Sequence, residues 1–191
     1  MKKSLKVLLT VLLVILVITI PFVGSYNSMV TSQQKVNTAE SNIDAQLQRR
    51  SDLIPNVVET VKGYAAQESE IFTQVAESRS KLAGATTTEE KAAADQELTG
   101  AVGRLLAISE RYPDLKSDQV FRDLTVQLEG TENRISVSRQ NFNDAASEYN
   151  TSIKRFPRNI VAGMFGFKEK PYFKADEAAK EAPKVEFNNK K

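Results

Sequence analysis

Cysteine, histidine and tryptophan are absent from the 191 residues. Without cysteine there is no disulfide, no thiolate nucleophile and no thiol to carry a lipid. A thiol-free chain suits either side of a membrane, so its absence leaves the compartment open. The lack of histidine as well removes the usual zinc ligands and the commonest general base. Any bound ion would need oxygen ligands alone, as Mg²⁺ and Ca²⁺ accept, and no metal-ligand spacing is present. The missing tryptophan weakens the case for an aromatic sugar platform. Excess charge of one sign is also lacking, with 26 basic and 24 acidic residues. The balance is uneven along the chain, though. Lys2, Lys3 and Lys6 open it, and residues 168–191 hold seven lysines against five acids, whereas residues 7–167 hold 16 basic and 19 acidic residues. A mildly acidic middle gives no electrostatic footprint for nucleic acid.

What is there begins with an apolar run. Val7 to Val23 carries no charge, and only Thr10 and Thr19 interrupt it. Counted from Leu5, with the Lys6 amine reaching the interface, the segment through Val7, Leu12, Ile15, Ile20 and Val23 rises roughly 28 Å, close to the ~30 Å hydrocarbon core. The rival reading is a cleaved signal peptide with Val23-Gly24-Ser25 as its exit. The length of the run favours an uncleaved transmembrane helix. Three lysines precede it and only Lys35 follows closely, which places the N-terminus in the cytoplasm and the remainder outside.

After Asn27 the pattern is helical, with little β-type alternation. Val36, Ala39, Ile43 and Leu47 form one stripe over about residues 28–50. Ser51-Asp52-Leu53-Ile54-Pro55 is read as a hairpin with Asp52 as N-cap. The alternative is one bent helix through Pro55, because the apolar phase carries across it. A second helix takes Ile54, Val57, Val61, Tyr64, Ile71, Val75 and Leu82 to Gly84, a favoured residue for a left-handed cap. Thr87 and Glu90 fit a capping box for a third helix, with Leu98, Val102, Leu105 and Ile108 leading to Tyr112-Pro113. The fourth and longest helix spans about Asp118 to Phe156. Phe121, Leu124, Leu128, Thr131, Ile135, Ser138, Phe142, Ala145, Tyr149, Ser152 and Phe156 step by threes and fours, a seven-residue repeat suited to near-parallel packing. Ile160, Met164, Phe165 and Phe167 are expected to fold back as an apolar cap.

The expected fold class is therefore all-α: an N-terminal single transmembrane helix followed by an up-and-down antiparallel four-helix bundle. The division is 1–25 cytoplasmic lysines and anchor, 26–167 bundle, and 168–191 a mobile Lys-rich tail.

Few constellations carry chemistry. Arg49-Arg50-Ser51-Asp52 reads first as a helix end, with the arginines on the preceding carbonyls, and second as a partner-binding knob or anion site. Glu132 and Arg139 lie seven apart on the long helix, as do Asn143 and Asn150, which suits interhelical hydrogen bonds that set register. Glu89-Glu90 and Glu68 with Glu70 read as solvated faces. Tyr64, Phe72, Phe121, Phe142 and Tyr149 read as core. Gly163-Met164-Phe165-Gly166 has neither a preceding strand nor a Gly-Lys-Ser ending, so it is no phosphate loop.

Gln46-Leu47-Gln48-Arg49-Arg50-Ser51-Asp52-Leu53-Ile54-Pro55-Asn56-Val57-Val58-Glu59-Thr60-Val61-Lys62-Gly63-Tyr64 resembles the signature of the LemA family. So do Tyr26-Asn27-Ser28-Met29-Val30, Tyr112-Pro113-Asp114-Leu115-Lys116, Thr131-Glu132-Asn133, Arg139, Phe142-Asn143, Tyr149-Asn150 and Phe156-Pro157, together covering about residues 26–173. Phe142 stands where relatives commonly have tyrosine. The resemblance implies a bacterial membrane-associated protein with an N-terminal span and a helical bundle, and supplies no activity. It also implies a short N-terminus outside the cell, against the lysines, whose bias is adopted. Arg49, Arg50, Asp52, Pro55, Asn56, Glu59, Glu132, Asn133, Arg139, Asn143 and Asn150 are the candidates for a structural or partner-binding role. The expected function is a non-enzymatic scaffold or adaptor of the bacterial cell membrane, with the bilayer and an envelope protein or second copy as partners, no cofactor and no nucleic acid. The alternatives are an accessory subunit of a membrane protease or transporter, and a hydrolase using Glu59 or Glu132.

Overall fold

The computed structural model describes residues 2–173, without the side chains of residues 2–4 and 18. All regular structure among them is helical. In chain order it comprises α1 (Lys2–Tyr64), α2 (Ser69–Gly84), α3 (Thr88–Ala107), a 3-10 turn (Ile108–Glu110), α4 (Pro113–Ser117), α5 (Gln119–Lys154) and α6 (Arg158–Phe165).

The start of α1 holds the one stretch, among the described residues, that is long and apolar enough to cross a membrane. Leu5, Val7, Leu12, Ile15, Ile20 and Val23 all face outward with no protein over them. The Thr10 and Thr19 hydroxyls donate to the carbonyls of Lys6 and Ile15, four residues back. Their polarity is thus satisfied inside the helix, as an apolar medium demands.

No hairpin forms at Ser51–Pro55. Residues 2–64 are one helix with Pro21 and Pro55 inside it. Pro55 cannot donate to the carbonyl of residue 51, a defect worth about 3 kcal/mol in a helix interior. Against that, Val36, Ala39, Ile43, Leu47, Arg50, Ile54, Val57 and Val61 hold one phase across the proline and are all buried. Breaking the helix there would turn half of that stripe out of the core, and packing wins. Asp52 is accordingly no N-cap. It sits exposed in mid-helix and accepts a bond from Gln48 Nε2 at 2.8 Å.

The break comes at Ala65–Glu68, so the stripe expected for one helix is split between α1 and α2. Gly84 ends α2, but the cap residue Ala85 is extended and no left-handed residue occurs there. The Thr87 capping box is present: Glu90 N–H donates to Thr87 Oγ1 at 3.1 Å, and Thr87 N–H to Glu90 Oε2 at 3.0 Å.

Facing residues give the directions. Lys35 meets Glu148, Arg50 meets Glu132, and Tyr64 donates to Asp118. α1 and α5 are therefore antiparallel along most of their shared length, and this is the most extensive pairing in the molecule. Lys81 with Glu97 and Gln74 with Arg104 make α2 and α3 a second antiparallel pair. Asp118 caps α5 by accepting from Phe121 N–H at 2.8 Å. That bond, with the one from the Tyr64 hydroxyl, holds its carboxyl below the ordinary value.

On α5 the buried stripe is Phe121, Leu124, Leu128, Thr131, Ile135, Phe142, Tyr149 and Ser152. Ser138 and Ala145 are half-buried, and Phe156 lies beyond the helix at 81% exposure. Tyr64, expected in the core, is exposed. The apolar cap forms only in part. Val161 and Ala162 of α6 are buried and Phe167 packs on the core, while Ile160, Met164 and Phe165 are exposed.

Candidate functional site

Arg50, Asp95, Glu132 and Arg139 meet where α1, α3 and α5 converge. Asp95 is 1% exposed and Arg50 4%. Asp95 accepts from Arg50 Nη1 at 2.9 Å on one oxygen and from Arg139 Nη2 at 2.6 Å on the other. Arg50 also donates to Thr99 Oγ1 at 3.0 Å, and Glu132 Oε2 lies 2.6 Å from the same guanidinium, an ion pair rather than an aligned hydrogen bond. Arg50 and Asp95 neutralise each other in the interior, and the partly exposed Glu132 and Arg139 complete the balance at its edge, the condition under which buried charge is tolerated. The cluster is the bolt between two helix pairs, because Asp95 belongs to the α2–α3 pair and both arginines to the α1–α5 pair.

The expectation that Arg49 and Arg50 rest on helix-end carbonyls fails, since α1 has no end there. Arg49 points to solvent while Arg50 turns inward. Glu132 and Arg139, expected to make interhelical hydrogen bonds, reach Arg50 of α1 and Asp95 of α3 respectively, the first as an ion pair and the second as a hydrogen bond. Asp95 was missed by sequence reasoning. The signal was present: it lies three residues before Leu98 and seven before Val102, on the apolar face of α3, where an unpaired acid would be costly.

Asn143 and Asn150 do something else. They bridge no helix. Asn150 accepts from Lys170 N–H and donates to Lys170 C=O, both at 2.8 Å. Asn143 repeats this on Phe173, accepting at 2.9 Å and donating at 2.8 Å. Seven residues of helix rise about 10.5 Å, and three of extended chain span about 10 Å. Two amides seven apart therefore match every third residue of an extended segment. Lys170 Nζ reaches Asn37 Oδ1 at 3.3 Å. Phe173 is buried between the Phe142 ring, 5.2 Å away edge-on, and the Arg139 guanidinium, 5.5 Å from its centroid. The part of the expected mobile tail that is described, residues 168–173, is thus strapped to the body. The rest of that tail, 174–191, lies outside the described residues.

The remaining candidates do not converge. Asn56 and Asn133 are exposed, and Pro55 is half-buried. Glu59 pairs with Lys62 on its own helix at 2.8 Å. Nine residues of α1, about 13 Å of rise, separate Glu59 from the Arg50 that Glu132 touches, so these carboxylates do not share a cleft. No group of three or more acids that could hold a metal occurs among the described residues.

The model of the LemA family matches residues 39–187, which contain the charged cluster, both asparagines and the segment they hold. The chain belongs to the LemA family. Among LemA-related proteins, magnetosome protein MamQ 1 of Paramagnetospirillum magneticum is 29% identical over 174 residues, covering 78% of this chain and 64% of its own length. MamQ of Magnetospirillum gryphiswaldense is 28% identical over the same span and coverage. Protein LemA of Metamycoplasma hominis is 26% identical over 157 residues, covering 82% of this chain and 72% of the relative. The chain thus spans just under two thirds of the length of its magnetosome relatives. None of these names describes an enzyme.

Proposed function

We propose that this LemA-family chain is a membrane-anchored, non-enzymatic scaffold of the bacterial cell envelope. It holds a stiff helical body beside the bilayer for an envelope protein or a second copy. The observation that carries this reading is the continuity of α1: the apolar segment and the central helix of the body are one element. An anchor joined by a flexible linker would merely tether a domain, whereas an unbroken helix fixes its height and direction at the membrane. Confinement to the surface raises the effective concentration of the body for partners there. The polar centre of the molecule supports the same reading, because its four charges are spent on one another and join helices. The lysines at the N-terminus favour a cytoplasmic start and an extracytoplasmic body.

Three measurements on the full chain in native membranes test this. Alkaline carbonate should leave it in the membrane with its N-terminus intact, and a soluble mature chain beginning near Tyr26 would remove the anchor. Protease added to cells stripped of their wall should digest the body, and protection would reverse the orientation. Photocrosslinkers at the exposed positions Arg49, Asn133 and Val137 should give adducts of discrete mass. If all three give none, the body has no fixed neighbour and the scaffold reading falls.

A further inference from the structure

The corner formed by Phe156 and α6 carries an apolar surface that no helix among the described residues covers. Phe156 is 81% exposed, Met164 70% and Phe165 59%, with Ile160 also open to solvent. Phe156, Ile160 and Met164 follow one another at four-residue intervals, while Val161 and Ala162 face the core. Val126 and Val137 of α5 are, by contrast, single exposed apolar side chains among polar neighbours, which is ordinary. A cluster is not ordinary.

The position of this corner says what covers it. Because α5 runs antiparallel to α1, with Glu148 beside Lys35, the chain leaves α5 close to the N-terminal end of the body. α6 then packs on α1 at Tyr26, whose ring centroid lies 4.8 Å from that of Phe165 and 5.7 Å from that of Phe167. Gly166, at φ +73°, makes the turn that returns Phe167 to that contact. Tyr26 is three residues beyond Val23, about 4.5 Å of helical rise past the apolar segment. Residues 154–170 hold five basic side chains and one acid, on a body that is otherwise slightly acidic.

We infer that Phe156 and α6 form an interfacial foot that dips into the headgroup and acyl boundary of an anionic phospholipid bilayer. Phe156, Ile160, Met164 and Phe165 enter the boundary, and Arg155 and Lys168 meet the phosphates. This is the composition of helices that lie in a membrane interface, apolar on one side and basic at the rim. Tyr26 sits at the level where aromatic rings concentrate. The inference rests on reading the start of α1 as a membrane span, and adds a second point of contact that would set the tilt of the body.

The chain has no tryptophan, so single tryptophans report without background. The full chain is reconstituted as Leu12→Trp, Phe156→Trp, Met164→Trp and Val126→Trp. The vesicles are phosphatidylcholine, alone or with an equal part of phosphatidylglycerol, and their acyl chains are brominated either near the carbonyl or at mid-chain. Tryptophan at 156 and 164 should lose most of its emission to near-carbonyl bromine and shift to the blue, more so with phosphatidylglycerol. Tryptophan at 126 should do neither. Arg155→Glu with Lys168→Glu should abolish the phosphatidylglycerol effect. If position 12 is quenched at mid-chain while 156 and 164 behave like 126, the foot is wrong and the anchor stands. If position 12 is not quenched, the anchor itself is wrong. Blue-shifted but unquenched emission at 156 and 164 would mean that a protein surface covers the corner, which also overturns the inference.

Discussion

Asp95 accepts from two arginines in a setting with almost no solvent, whereas Asp52 is exposed and accepts from Gln48 one turn back. The two acids should respond oppositely to removal. Asp95→Ala would leave Arg50 buried without its main partner, a change that typically costs about 3–5 kcal/mol. Asp52→Ala removes an exposed mid-helix contact and should stay within about 0.5 kcal/mol, although the loss of an N-cap would have cost about 0.5–2 kcal/mol. Denaturant melts of the two variants separate these outcomes. A large loss at Asp52 would restore the helix break that the fold lacks. The contrast explains what could be read in advance at this scale. Arg50, Glu132 and Arg139 stood out by spacing and charge, but the acid that the two arginines share, Asp95, is 45 residues along the chain from Arg50. A single sequence shows periodicity within a helix and not the pairing of distant positions between helices.

Among the elements, the strap over residues 168–173 and the start of α3 each depend on few groups. Asn150→Ala removes both bonds to the Lys170 backbone, and Asn143→Ala both to Phe173. Each variant should make the corresponding amide exchange rapidly while the amides of α5 stay protected, since weakly held segments open independently of the core. Equal loss across α5 would show that the asparagines support the helix rather than the strap. At α3, the N–H groups of Thr86 and Thr87 donate to Glu90 and, with the Thr86 hydroxyl, hold its carboxyl down to about 2 from an ordinary 4.5. A lowered folded-state value means the unfolded chain binds the proton more readily. The contribution of Glu90 is therefore complete above about pH 4.5 and is lost as the pH falls toward 2. Amide exchange at Glu90 and Lys91 should rise through that window, and Glu90→Gln should flatten the rise. These elements were unequally legible. The capping box is a local four-residue pattern, and its geometry is as its letters suggest. The strap is not local, because Lys170-Pro171-Tyr172-Phe173 sits inside a lysine-rich composition, and only the buried Phe173 gives it away.

For the whole molecule, the question is whether α1 acts as one rod. Its apolar stripe was legible on both sides of Pro55, and a bent single helix was the alternative to a hairpin. What decided the matter was the length of α5, which presents a matching seam from Phe121 to Ser152 and would lose partners along half of it if α1 turned back. Composition could not weigh that gain against one proline, because the gain belongs to a pair of helices. Between Val23 and Met29 the rings of Phe165 and Phe167 meet Tyr26, but Gly24 has nothing within 4 Å of its Cβ position, so a hinge would form there if anywhere. The absence of cysteine allows spin labels to be placed singly. Labels at Ile20 and Gln48 are 28 helical residues apart, about 42 Å at the rise of an α-helix. In bilayer discs of the full chain, pulsed electron resonance should return one narrow distribution near that distance, and Gly24→Ala should leave it unchanged. Replacing Gly24-Ser25 by a longer glycine-serine linker should broaden and shorten it. A broad distribution in the unmodified chain would mean that the body swings freely on the apolar segment, and the fixed height and direction on which the proposed scaffold role depends would be lost.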